Sequence, residues 1–279
     1  MILIASLFFF LGANPKAGFA LSFDEIQEKG TISIAVYRDF RPFSYRENGV
    51  LKGIDVEIAK EIAKSLNVSL DLIEQTADEN VDDDLRNAIW KGHYLKTPLA
   101  DVMLHIPYDQ ELGKRNELVV LFAPYYLEDT VLAKDIEKIG KEATIAYFRF
   151  EKVGVELDSL SDAYLSSVFG GTIRNNLKHY INNEIAANAL KKGETTGLLG
   201  IKSQLEHHLR GEKNIVIEKV PTPGLYKESW LLGLAVKNTY RQLGYNIGDI
   251  IATLIKNGRM QAIFEEYNVT YSPPPSLFL

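Results

Sequence analysis

The sequence predicts an α/β fold with mostly parallel sheets. Along the 279 residues, short runs rich in β-branched residues alternate with segments whose apolar residues recur at helical spacing. Hydrophobic residues make up 46% of the chain, enough to bury a large core, and the 24% charged content is typical of a globular protein. Because strands and helices that alternate in sequence usually form parallel sheets flanked by helices, we expect that architecture here.

The first elements have the clearest pattern. A short helix is predicted from Phe23 to Gly30, followed by a strand over the β-rich run Thr31–Tyr37. The next segment places its isoleucines and a leucine on one helix face, at every fourth position: Ile54, Ile58, Ile62 and Leu66. Further runs predict strands over 68–73, 100–106 and 119–122 and a helix over 82–90.

The second part of the chain continues the alternation with shorter elements. Strands are predicted over 143–147, 153–155, 196–199, 214–217 and 230–236, and helices over 186–191 and 204–209. Two amphipathic helices are predicted between Gln242 and Tyr267, broken at Asn257-Gly258. The proline-rich segment that follows predicts an extended tail over 272–276.

The N-terminus has the pattern of a signal peptide. The apolar run Ile2–Leu11 is about half the length of a membrane-spanning helix. The small residues of Gly18-Phe19-Ala20 form a cleavage site, so residues 1–20 are predicted to be removed after Ala20. The alternative is an apolar N-terminal strand or helix. Since no later apolar run reaches 18 residues, we expect an exported periplasmic protein that is not membrane-inserted.

Composition excludes several functions. The net charge of −6 and the lack of a basic run argue against nucleic-acid binding, which needs a cationic face. The absence of cysteine excludes disulfides, thiol catalysis and zinc–thiolate sites. The acidic segment 78–84 lacks the ordered spacing of a calcium loop, so we interpret it as a helix N-terminus, where acidic side chains suit the helix dipole. We predict neither a metal nor a cofactor.

One set of motifs, taken in order, resembles a known family. It begins with the strand Thr31–Tyr37, the turn Phe40-Arg41-Pro42-Phe43 and the segment Gly53-Ile54-Asp55-Val56-Glu57. It continues with Ala100-Asp101-Val102, then Arg115 six residues before Leu121-Phe122-Ala123-Pro124-Tyr125-Tyr126. The block Trp230–Lys237 and the helices around Asn257-Gly258 complete it. Over residues 24–270 this order resembles family 3 periplasmic solute-binding proteins of ABC transporters.

The resemblance implies a type II periplasmic binding-protein fold with two lobes. Lobe 1 would comprise residues 24–128 and 237–279, and lobe 2 residues 129–236. Two strands, over 126–134 and 229–236, would cross between them. In this family the solute binds between the lobes, which close around it.

The family pattern also indicates five ligand-binding residues. Phe40, Phe43 and Tyr45 would form an aromatic wall, and Arg115 would clamp a carboxylate with its two parallel donors. His105 replaces the small residues that the family usually has at the floor of the site, so it becomes a polar contact. The structural alternatives are a core position for Phe43, a satisfied buried histidine for His105 and a solvated surface arginine for Arg115. In the second lobe, position in the chain is the only indication of ligand contacts, and it suggests Tyr147, Arg149 and residues 159–161.

One departure from the family bears on the ligand. Ile201 stands where the family often has an aspartate that holds an α-amino group. An ammonium without that carboxylate loses a charge-assisted hydrogen bond of about 1.5–3 kcal/mol. We therefore expect a small polar or carboxylate-bearing solute that is not a standard α-amino acid.

Three functions are compatible with these residues. The first is a monomeric binding protein, without enzymatic activity, that delivers its solute to an ABC permease. The second is an accessory protein of a periplasmic quinoprotein (methanol-type) dehydrogenase, which the run Trp90–Pro107 resembles more weakly. The third is a dehydratase-like enzyme on the same fold, for which the spacing of the acidic residues gives no argument.

Overall fold

The computed structural model describes residues 20–94 and 97–275. Its helices are α1 (Phe23–Lys29), α2 (Ile54–Leu66), α3 (Val81–Leu85), α4 (Gln110–Arg115), α5 (Ile136–Ile139), α6 (Leu160–Gly171), α7 (Asn183–Lys191), α8 (Lys202–His208), α9 (Arg241–Lys256) and α10 (Arg259–Glu266). One π-helical turn, Arg86–Trp90, extends α3, and short 3₁₀ turns span Ile145–Arg149, Arg174–Asn176 and Asn238–Tyr240.

The strands are β1 (Thr31–Tyr37), β2 (Tyr45–Glu47), β3 (Val50–Lys52), β4 (Ser69–Gln75), β5 (Val102–Pro107), β6 (Val119–Asp135), β7 (Val153–Glu156), β8 (Leu177–Tyr180), β9 (Gly197–Ile201), β10 (Ile215–Glu218) and β11 (Ser229–Lys237). Among the described residues, nine of them form one mixed sheet in the order β4-β1-β5-β11-β6-β9-β7-β8, with β10 also paired to β6. The strands β2 and β3 form a separate hairpin.

Two long strands connect the ends of this sheet. β6 pairs with β11 through Asp129 and then with β9 and β10 from Thr130 onward. β11 in turn pairs with β5, which carries the parallel strands β1 and β4. The antiparallel pairs lie in the middle of the sheet, whereas parallel pairs form both ends.

The buried side chains fall into two regions on either side of these long strands. One region takes residues from 26–126 and 232–269, and we call the chain around it the first half. The other takes residues from 131–209, and we call the chain around it the second half. Leu232, Leu234 and Val236 of β11 lie in the core of the first half.

The α/β prediction is confirmed, and most elements lie where the sequence pattern put them. The strand predicted over 143–147 is wrong: Ile145 and Phe148 are buried three residues apart, which suits the 3₁₀ turn that the chain forms there. The strand predicted over 119–122 continues to Asp135 and includes the crossing strand that the resemblance implies over 126–134, whereas helix α6 was not predicted. The predicted signal peptide lies outside the described residues, except for Ala20.

Within the described ranges, no helix combines the length and the apolar character needed to span a membrane.

Candidate functional site

The turn after β1 brings aromatic side chains to the end of the first half's parallel strands. Phe40 pairs with Ser44 through two backbone hydrogen bonds of 2.7 and 2.8 Å, which closes the turn. Gly53 runs against this turn so tightly that a Cβ atom there would lie 2.1 Å from the carbonyl oxygen of Phe43. Its φ of +133° is also one that glycine alone adopts readily. Gly53 therefore fixes the position of the turn against α2.

His105 of β5 lies in the middle of this aromatic group. Its ring centroid is 4.1 Å from that of Phe43, 4.9 Å from that of Phe40 and 6.3 Å from that of Tyr37. The structure thus brings together three of the five predicted site residues: Phe40, Phe43 and His105. Phe43 is completely buried and stacks behind Phe40 at 5.7 Å, so in this conformation Phe40 presents the accessible ring.

A buried carboxylate lies behind His105. Oδ2 of Asp55, at the start of α2, is 3.3 Å from Nδ1 of His105. Tyr125 donates its hydroxyl to the other oxygen of Asp55 at 3.0 Å. Asp55 and Tyr125 are both inaccessible to solvent, and His105 is 9% exposed. Burial raises the pKa of Tyr125 well above its ordinary value, so its hydroxyl stays a donor.

Phe40 separates two cavities. A small one of about 80 Å³ has walls from both halves of the chain: Asp39, Phe40 and Arg41 from the first, and Glu156, Asn182, Asn183, Glu184, Gln204 and His208 from the second. A larger one of about 310 Å³ lies on the other side of Phe40, within the first half, between Tyr37, Arg38 and residues 77–81 and 84. A solute held between the halves would therefore contact Phe40.

The small cavity is polar. Asn183 donates to Glu156 at 2.6 Å and to Gln204 at 2.7 Å, which orders three side chains of the second half along one wall. Burial raises the pKa of Glu156 and lowers that of His208 to about 4, so His208 is neutral near pH 7. Arg41 supplies a cation from the opposite wall.

Tyr45 supports that cation. The guanidinium carbon of Arg41 lies 3.8 Å above the centre of the Tyr45 ring, a cation–π geometry. Tyr45 itself is 8% exposed, so the structure places it beneath Arg41 and makes Arg41 the group that faces the cavity.

The larger cavity is acidic. Tyr37 donates its hydroxyl to Asp84 at 2.7 Å, and the backbone N–H of Asp78 donates to the other oxygen of Asp84 at 2.8 Å. Burial raises the pKa of Asp84. The interpretation of the acidic segment as a helix N-terminus agrees with the geometry, since Asn80 caps α3 through the N–H of Asp83.

The structure places Arg115 apart from the aromatic group. Its side chain is 57% exposed, and it contacts Asp82 through two hydrogen bonds of 3.2 and 3.3 Å. Although partial burial acts in the opposite direction, the bonds from Arg115 and Asn116 lower the pKa of Asp82. The predicted clamp thus has a carboxylate partner within the protein, and its contact with a solute stays a prediction.

Sequence reasoning missed the second-half wall of the small cavity. Arg41 lies inside the aromatic turn Phe40-Arg41-Pro42-Phe43. The sequence could have indicated it as a ligand-binding residue, because a cation beside aromatic rings is a common binding element. Asn183 and Gln204 had no local signal, since an amide beside a helix N-terminus is usually a cap. The suggested Arg149 lies 4.4 Å over the ring of Phe169.

Comparison with known proteins bears directly on the family. Residues 32–89 match the model of a family described as bacterial extracellular solute-binding proteins, family 3. This match confirms the family resemblance. The matched segment contains the aromatic turn, Gly53 and Asp55, which together build the first-half side of the site. No curated protein sequence matches the chain significantly.

Solved structures of solute-binding proteins share the fold. An ancestral cationic amino acid solute-binding protein is similar with a TM-score of 0.71 and 18% identity, over 88% of this chain and 99% of that one. The amino acid ABC transporter substrate-binding protein AbpA from Streptococcus pneumoniae, bound to L-arginine, is similar with a TM-score of 0.60 and 20% identity, over 88% of this chain and 97% of that one. The solute receptor for L-cysteine of Neisseria gonorrhoeae is similar with a TM-score of 0.59 and 23% identity, over 88% of this chain and 93% of that one. The chain therefore has the type II periplasmic binding-protein fold.

Proposed function

We propose that this protein captures a small polar solute between its two halves and delivers it to an ABC permease. One observation carries the proposal: the cavity beside Phe40 is lined by side chains of both halves, Arg41 on one side and Glu156, Asn183 and His208 on the other. A site of this kind exists only when the halves meet. Binding energy would therefore drive closure, as population shift requires.

The long strands provide the connection that closure needs. β6 and β11 pass between the halves side by side, paired from Ser229–Asp129 to Leu232–Tyr126. We propose lobe 1 as residues 24–128 and 237–279, and lobe 2 as 129–236, with β11 contributing its later residues to the lobe 1 core. A small rotation at these strands would open the cavity at Phe40.

The lining offers one cationic contact for an anionic group of the solute, among three carboxylates, those of Asp39, Glu156 and Glu184. Arg41 is the cation on the first-half wall, and the amides of Asn183 and Gln204 complete a polar enclosure. We assign to Arg41 the anion contact that the family pattern assigns to Arg115. Ile201 ends β9 without a carboxylate at the family's usual position, so we propose a carboxylate-bearing solute other than a standard α-amino acid. Glu156 contributes a carboxylate to the cavity from a different strand, β7.

A thermal-shift screen tests this function. The purified protein would be melted with organic acids, polar alcohols and the common amino acids, including L-arginine and L-cysteine. A solute at 100 times its dissociation constant stabilises a protein by about 2.7 kcal/mol, which raises the melting temperature by several degrees. We expect a carboxylate-bearing compound to do so. Stabilisation by standard amino acids alone would contradict the solute class, and no stabilisation by any compound would contradict solute binding.

A further inference from the structure

We propose that Asp55 is a positioning residue that keeps a proton on Nδ1 of His105 and leaves Nε2 of that ring as a hydrogen-bond acceptor. The inference deepens the proposed function, on which it rests for the presence of a solute. Its geometric basis is the 3.3 Å separation between Asp55 Oδ2 and His105 Nδ1. The side chain of Asp55 is fully buried and that of His105 is 10% exposed.

The hydrogen-bond requirements of the two groups allow one arrangement. Asp55 Oδ2 and His105 Nδ1 are both buried, and neither makes a well-aligned hydrogen bond, either to the other atom or to a third group. The second oxygen of Asp55 already accepts from Tyr125 at 3.0 Å. Because a carboxylate only accepts, a proton on Nδ1 satisfies both atoms, whereas a lone pair on Nδ1 would leave both unpaired and in repulsion.

The surrounding rings hold the imidazole in this orientation. Phe43, Phe40 and Tyr37 all lie edge-on to it, with Phe43 nearest at 4.1 Å between centroids. His105 also has a φ of +64°, an unusual backbone conformation within a strand that sets the direction of its side chain. A ring flip would carry Nδ1 away from Asp55 into this aromatic packing, so the orientation is fixed from both sides.

The chemical consequence concerns the solute. Nδ1 is fully buried, so the accessible tenth of the side chain belongs to its other atoms, beside Phe40. In a neutral imidazole with its proton on Nδ1, Nε2 carries a lone pair. A solute group that contacts this edge must then donate an N–H or O–H, such as a hydroxyl, an amide or an ammonium. The arrangement selects a donor at this point, while Arg41 attracts an anion at the cavity.

Long-range ¹H–¹⁵N correlation spectroscopy of the full chain, labelled at histidine and free of solute, reads the tautomer directly. At pH 8 we expect the Nδ1–H form for His105. The chain supplies two internal controls: His207, whose Nδ1 lies 2.6 Å from the Tyr267 carbonyl oxygen, and His179, whose Nε2 lies 2.9 Å from Asp162. The first should show Nδ1–H and the second Nε2–H. A proton on Nε2 of His105, in either a neutral or a cationic ring, overturns the proposal.

Two variants separate positioning from packing. Asp55→Asn can present an amide N–H to Nδ1, so we expect the Nε2–H form of His105 to gain population. Tyr125→Phe removes the donor to the far oxygen and leaves Asp55 in place, so we expect the Nδ1–H form to persist. Equal tautomer populations in wild type and Asp55→Asn would contradict the role of Asp55. If Asp55→Asn fails to fold, the wild-type spectrum with its two controls still shows which nitrogen of His105 carries the proton. None of these spectra contains a solute, so failure of the proposed function leaves the result intact.

Discussion

Ser203 donates both its backbone N–H, at 3.2 Å, and its hydroxyl to the carboxylate of Glu128. Ser203 lies in the first turn of α8 in the second half, and Glu128 lies on β6 where that strand passes between the halves. Both residues are buried. This contact anchors a helix that lines the cavity to the strand about which the halves would rotate.

Glu128 makes stability depend on pH. Burial raises its pKa from 4.5 to about 7, against the opposing effect of the Ser203 hydrogen bonds. The folded state therefore binds this proton more tightly than the unfolded state does. The resulting stabilisation is fully present below pH 4.5 and is lost as the pH rises through about 7, by up to roughly 3 kcal/mol.

Glu128→Gln should remove this dependence, because the side chain no longer ionises. Chemical denaturation at pH 5, 6.5 and 8 measures it. Glu142→Gln, at an exposed loop position, is the matched control and should keep the wild-type pH profile. A Glu128→Gln profile that still falls as steeply as wild type between pH 5 and 8 would show that other groups cause the fall.

The two phenylalanines of the aromatic turn should separate stability from binding. Phe43 is completely buried, so Phe43→Ala should cost about 3–5 kcal/mol of unfolding free energy. Phe40 is half-buried and lines both cavities, so Phe40→Ala should cost less stability and weaken solute binding more. Urea denaturation of each variant measures the unfolding free energy, and calorimetric titration measures the affinity for the solute. The reverse order of stability losses would contradict the burial of Phe43 behind Phe40.

Arg41 and Arg115 are alternative candidates for the contact with the anionic group of the solute. We expect Arg41→Ala to weaken binding of a carboxylate-bearing solute at least tenfold, because it faces the cavity. Arg115→Ala should change unfolding free energy by less than about 1 kcal/mol, since its ion pair with Asp82 is at the surface. If Arg115→Ala instead causes the larger loss of affinity, the clamp that the family pattern predicts is the correct one.

Gly53→Ala tests the close approach of α2 to the turn. The new Cβ would lie 2.1 Å from the Phe43 carbonyl oxygen, at a φ that disfavours side chains, so we expect severe destabilisation or failure to fold. Gly248→Ala in α9 is the control. No heavy atom lies within 4 Å of its Cβ position, and alanine in a helix should add about 0.5–1 kcal/mol of stability. A melting temperature for Gly53→Ala equal to that of wild type would refute the tight packing.

The sequence alone predicted the elements whose pattern follows local rules. Four of the seven residues of Thr31–Tyr37 are β-branched, and α2 repeats an apolar residue every fourth position, so both elements were predicted within a residue of their bounds. The later part of β6 was expected over 126–134 from the family resemblance alone, because the buried polar residues Glu128, Asp129 and Lys134 interrupt the local apolar pattern. Those polar residues are satisfied by partners from distant segments, such as Ser203 for Glu128, which no local pattern reveals.

The residues of the candidate site also fall into those that local motifs indicate and those that distant segments bring together. The sequence indicates Phe40 because it lies in a family-like motif and His105 because it departs from one, and the structure places the two rings 4.9 Å apart. The second-half wall is assembled from β7, α7 and α8, whose polar residues look like caps or surface positions in sequence. Arg115 had the right spacing, but the acidic segment 78–84 supplies a partner for it in space.

Solute capture at Phe40 is the central claim, and isothermal titration calorimetry tests it most directly. The compound that most raises the melting temperature in the screen would be titrated into wild type, Phe40→Ala and Val50→Ala, the last at an exposed hairpin position. We predict one site per chain, an affinity at least tenfold weaker in Phe40→Ala and an unchanged affinity in Val50→Ala. Equal affinities in all three proteins, or no binding heat in wild type, would contradict the claim.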